Sequence, residues 1–176
     1  VAREKGLEPL ADAIFEQNAD SPAPIEMAAE FVNEEKGVAT AEDALKGAMD
    51  IIAENISDDA DIRRRLRNLF TVIGVVTTSA VDKETESVYT NYYEYSEPVS
   101  KIAGHRVLAI DRGEREKFLK VSVTLDAVKA SNVITSATLK PEGSPCTEVV
   151  REAGADAYDR LIYPSIEREI RNMLTE

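Results

Sequence analysis

The chain has 176 residues, 43% of them hydrophobic and 31% charged, with a formal net charge of −12. That is enough to bury one good core or two small lobes, and the composition is that of a folded globular protein. It contains no apolar run near the roughly 18 residues a membrane span needs, and no basic-then-apolar leader at its start. One Cys and one His exclude an internal disulfide and make a zinc site uncommon. No membrane partner, metal or cofactor is expected, and a cytoplasmic location is.

Leu7, Leu10, Ala11, Ile14 and Phe15 recur at three- and four-residue steps and predict a first amphipathic helix, interrupted by Pro22 and Pro24. A second is predicted from about Ile25, with Met27, Ala28, Phe31 and Val32 on one side and Gly37 as its stop. Thr40 caps a third, with Asp43 in the box position and Ala44, Leu45, Ala48, Ile51, Ile52 and Ile56 as its apolar face. The acids of SDDAD (57–61) suit the positive end of a fourth helix. Its Ile62, Leu66, Leu69, Phe70 and Ile73 point inward, while Arg63, Arg64, Arg65 and Arg67 crowd the other faces. These helices define an acidic lobe over 1–74; residues 1–60 alone hold 15 Asp and Glu against 4 Lys and Arg.

After Gly74 the texture changes. VVTTSAV reads as a strand or a fraying helix end. In DKETESVYTNYYEYSEP four of the six tyrosines, Tyr89, Tyr92, Tyr93 and Tyr95, crowd together. Ser96 and Pro98 suit the cap and first turn of a helix. Residues 117–125 alternate as a short strand with Val121 and Val123 on one face, and 126–138 are open between states. The segment 75–146 is therefore mixed, with short helices and candidate strands. From Thr147 a long helix is predicted to the end, kinked or split at Pro164. The first residue is Val and the last amphipathic pattern has no stop after it, so the chain reads as a piece of something longer.

The stretch GHRVLAIDRGEREK (104–117) holds the only histidine. A hydrolase built on His105 with Asp111 or Glu114 lacks a nucleophile context, and the eight scattered glycines form no phosphate loop. No enzymatic activity is expected. Nucleic-acid contact is the sharper alternative: Lys101 to Lys120 holds six Lys and Arg against three acids. The candidate phosphate contacts are Lys101, His105, Arg106, Arg112, Arg115, Lys117 and Lys120, with the tyrosines as candidate base platforms or, more simply, loop anchors. The structural reading is a short helix from Gly104 to a Gly113 stop, packing Val107 and Ile110, with Leu108 and Ala109 adding apolar surface. In it Arg106 is a surface residue whose reversal to Glu costs little stability.

AREKGLEPLA, ALKGAMDIIAENIS, YYEYSEPVSKIAGHRVLAIDRGERE and DAYDRLIYPSIEREIRNMLTE together resemble the Tex family of bacterial transcription accessory proteins, which are similar to the core of the eukaryotic Spt-type elongation factor. The resemblance runs from about Arg3 to Glu176. His105, Arg106, Arg112, Gly113 and Glu114 fit the family pattern, whereas Asp111 stands where Asn is expected and Gly104 where Ser is more usual. The resemblance implies a mostly helical, multidomain nucleic-acid-binding protein without established enzymatic activity. An RNase H-like domain, helix-hairpin-helix units and an S1 RNA-binding domain would follow the helix of 147–176. It carries over no catalytic residue.

The expected fold is mainly α, a multi-helix array or bundle with a candidate small β element in the second half. The expected function is a helical scaffold fragment positioning downstream RNA- or DNA-binding modules, with nucleic acid bound mainly through those modules. The alternative is a docking surface on the acidic N-terminal helices for RNA polymerase or other transcription machinery.

Overall fold

The computed structural model describes residues 1–175; Glu176, the end of the expected last helix and of the family resemblance, lies outside the described residues. The chain is mainly α-helical with one small antiparallel sheet. It forms two compact units, each assembled from two separate stretches of sequence.

The first unit comprises 1–63 and 131–162. Its helices are α1 (Glu8–Glu16), α2 (Pro24–Ala29), α3 (Ala41–Ser57), the start of α4 (Ala60–Ile73), the end of α6 (Ala127–Thr138) and α7 (Thr147–Asp156). Helix α3 is its axis, packed by α1, α2 and α7. It buries Ala44, Ala48, Ile51, Ile52, Ala53 and Ile56, a stripe wide enough to be covered from several sides. The Thr40 cap forms as expected: its Oγ1 accepts the Asp43 N–H at 3.1 Å. Asp59 caps α4 by accepting the Ile62 N–H at 2.9 Å. Gln17, buried and left-handed (φ 52°) at the end of α1, donates to the Thr138 carbonyl at 2.8 Å and accepts the Lys140 N–H at 3.2 Å.

Two local expectations change here. The second helix ends at Ala29, and Gly37 (φ 82°) instead stops a separate 3₁₀ turn, Glu34–Lys36. Phe15 is not inward; it is 39% exposed. The split expected at Pro164 does form: α7 gives way to π-helical turns over Ala157–Ile162, just ahead of the proline. Pro164 supplies no N–H and its ring crowds the carbonyl four residues back, so the turn before it opens.

The second unit comprises 64–130 and 163–176. Strands β1 (Val75–Ala80), β2 (Glu94–Pro98) and β3 (Leu119–Thr124) run in the order β2-β1-β3 with both pairings antiparallel. Val76 faces Glu97 on one side and Val123 on the other, and the buried Thr78 hydroxyl donates to the Tyr92 carbonyl at 2.6 Å. Helix α5 (Gly104–Arg115) packs on β3, and α8 (Tyr163–Thr175) packs on both. Ser96 and Pro98 therefore lie in a strand and do not start a helix. At the end of an edge strand the missing proline N–H costs the ladder little. The open segment 126–138 contains α6, and VVTTSAV is the central strand.

Candidate nucleic-acid interface

The 104–117 stretch is a helix, but a longer one than its glycines suggest. Gly113 is buried inside α5, and the left-handed stop comes at Lys117, φ 68°. A Cβ on Gly113 would stand 2.5 Å from Leu119 Cδ1 and 3.1 Å from Tyr89 Cδ1, so close packing and not a turn requires this glycine.

Val107, Ile110 and Gly113 form the inner face of α5. At 3.6 residues per turn His105, Leu108, Arg112 and Arg115 fall within about 80° of one another on the opposite side, and all four are exposed, Leu108 by 63%. Lys101 precedes the helix, Lys117 lies in the turn after it, and Lys120 projects from β3 in register with Ser79. None of Lys101, His105, Arg112, Arg115, Lys117 or Lys120 makes a side-chain hydrogen bond or ion pair among the described residues.

Arg106 differs from the other six. Its Nη1 donates to the Tyr95 hydroxyl at 2.5 Å and lies 3.5 Å from Glu97, while its guanidinium sits 5.9 Å over the Tyr95 ring. Tyr95 in turn donates to Glu97 at 2.5 Å. The hydrogen bond to Glu97 raises the phenol's pKa, and the bond to Tyr95 raises that of the guanidinium. Arg106 thus has partners in Tyr95 and Glu97 although its side chain remains 43% exposed, and a Glu there would face Glu97.

The acids of the stretch are largely consumed internally. Arg171 of α8 bonds both Glu114 oxygens, at 2.5 and 2.9 Å, and Asp111 at 3.1 Å. Its pKa is raised, first by the Glu114 bonds. Glu116 accepts the Tyr89 hydroxyl, which raises that phenol. What remains toward solvent is a set of cations whose acidic neighbours are occupied, a surface suited to phosphate oxygens. The tyrosines act as anchors: Tyr89 is buried, Tyr92 and Tyr95 meet edge to face at 5.1 Å, and Tyr93 donates to the Thr85 carbonyl at 2.5 Å.

Sequence reading missed the fixing of α8. Tyr163 donates to the Val123 carbonyl at 2.6 Å, and Glu167 accepts the Val123 N–H at 2.9 Å, so the two side chains satisfy the Val123 backbone on the free edge of β3. Arg67 reaches Glu169 at 2.6 Å. Only the four-residue spacing of Tyr163 and Glu167, themselves bonded at 2.8 Å, left a local trace.

Comparison with known proteins gives this arrangement a family. Residues 19–176 match the model described as Tex central region-like. The chain is 41% identical over its whole length to the YdcI protein of Bacillus subtilis, of which it covers 25%. It is 35% identical to the transcriptional accessory protein Tex of Neisseria gonorrhoeae over 70% of the chain and 16% of that protein. To the human S1 RNA-binding domain-containing protein 1 it is 29% identical over 99% of the chain and 18% of that protein. The chain thus spans about a quarter or less of the length of these relatives. A family match running from residue 19 to the end, with a relative aligned over the full chain, shows that it belongs to the Tex family, as part of its central region.

Proposed function

We propose that this segment is a non-catalytic helical scaffold of a nucleic-acid-binding transcription accessory protein, holding RNA- or DNA-binding modules elsewhere in the protein at fixed relative positions. The observation that carries the reading is the clamp on α8. Arg171 ties it to α5 through two carboxylates, and Tyr163 with Glu167 ties it to the β3 backbone. A helix held at both ends of its length by directional bonds passes on an orientation where one held by apolar contact alone could roll. In a protein of the relatives' length, that orientation would set the effective concentration of linked binding modules.

The test is Arg171→Met in such a full-length protein, with RNA affinity read by anisotropy and the mobility of α8 by hydrogen exchange. Arg171 pairs internally, yet its loss is expected to weaken RNA binding roughly 3- to 10-fold through lost module alignment. Faster exchange in α8 with unchanged RNA affinity would overturn the scaffold reading.

A further inference from the structure

In the first unit, α1, the second half of α3, the start of α4 and the end of α6 border a cleft of ≈ 410 Å³, within the size range of about 300–1,000 Å³ typical of ligand clefts. Its floor is apolar: Ala11, Ile52, Ile56 and Ile62, none more than 2% exposed. Phe15 stands on its rim, 39% exposed although its place in the α1 repeat is that of a core residue. Asp12, Glu16 and Asp59 complete the rim, and no Lys or Arg lines it.

Two of these three carboxylates do little for the fold, and the third keeps one oxygen free. Asp12 makes no hydrogen bond or ion pair among the described residues, and Glu16 accepts only a long bond, 3.3 Å, from the Asn18 amide. Asp59 uses one oxygen on the Ile62 N–H.

We infer that this cleft docks a basic amphipathic helix of a partner protein, seating an apolar side chain beside Phe15 on the isoleucine floor and placing Lys or Arg against Asp12, Glu16 and Asp59. The apolar floor calls for an apolar anchor at helical spacing, and the uncompensated rim fixes the sign of the charge around it. The surrounding 1–60 region, with 15 acids to 4 bases, repels phosphate chains, so nucleic acid does not compete for this face. The cleft is independent of the scaffold reading and stands or falls without it.

The probe is a fluorescein-labelled peptide of Leu and Lys, roughly fifteen residues or four turns long, with Leu at three- and four-residue steps. A second peptide of the same composition has the Leu positions scrambled. Anisotropy against the 176-residue chain should give saturable binding of the amphipathic peptide and at least about tenfold weaker binding of the scrambled one. Asp12→Lys with Glu16→Lys should weaken the first peptide by at least about tenfold at an unchanged circular-dichroism melting temperature. Asp12→Asn with Glu16→Gln should weaken it severalfold and guards against misfolding. Absence of saturable binding, equal binding of both peptides, or full binding by the neutral variant would overturn the inference. Self-association of the chain that the double Lys variant abolishes would also overturn it, by making a second copy the occupant.

Discussion

At Gly113 two effects of one methyl group oppose each other. Alanine is favoured over glycine inside a helix by about 1 kcal/mol, but here its Cβ would press on Leu119 at 2.5 and 2.9 Å and on Tyr89 at 3.1 Å. Leu119 is 2% exposed and Tyr89 5%, and the Tyr89 hydroxyl is bonded to Glu116, so neither has room to yield. Overpacking of this kind costs about 1–3 kcal/mol and outweighs the propensity gain. Gly113→Ala should therefore lower stability by up to about 2 kcal/mol in urea unfolding. A stabilised variant would mean that the α5–β3 contact is looser than described. The sequence offered Gly113 as a helix stop because glycine there has two meanings, conformational freedom and absence of bulk, and only the fold chooses between them.

At the scale of elements, what the sequence made legible was what depends on neighbours in the chain. The Thr40 cap, the apolar stripe of α3, the strand at Val121 and Val123 and the break before Pro164 all rest on local periodicity or local stereochemistry. What it hid depends on distant partners. Strand β2 carries too many charged and polar residues to read as a strand, and it exists because Val75–Ser79 pairs with it. The clamps of Arg171 on Asp111 and Glu114 span some sixty residues. Of the candidate contact set, exposure was legible for six residues; the capture of Arg106 by Tyr95 and Glu97 was not. The outward face of α5 then makes a graded prediction. Arg112→Glu with Arg115→Glu removes two cations without touching the inner face, so helicity and melting should hold. A labelled single-stranded RNA should bind the wild-type chain weakly at low salt, and the variant less. The slope of log K against log salt should fall by about 1.4, the contribution of two single-strand phosphate contacts. Identical salt series would remove this face from the nucleic-acid contact surface and leave α5 as architecture.

At the scale of the whole molecule, the chain builds neither unit in one pass. The first unit needs 131–162 to complete what 1–63 begins, and the second needs 163–176 to cover what 64–130 lays down. In the first, α7 brings Val150 and Ala153 against α3, and Gly154 lets Ile134 approach so closely that a Cβ would lie 2.9 Å from its Cγ2. In the second, α8 supplies Ile166 and Ile170 together with the side chains that satisfy the Val123 backbone on the β3 edge. A chain stopped at Ala130 therefore loses a wall from each unit at once. It leaves the long apolar stripe of α3 open on its α7 side, and the Val123 backbone on the β3 edge without its partners, although most of the helix-forming sequence remains. Burial of apolar faces, rather than intrinsic propensity, supplies most helical stability. The truncated chain should accordingly lose its cooperative thermal transition, keep only part of its helical circular dichroism and bind a hydrophobic dye, the signs of a compact state without fixed packing. If the 1–130 chain instead melted cooperatively, one unit at least would be complete without its second stretch. Because elements from two separate stretches complete each unit, the order of each depends on the chain as a whole.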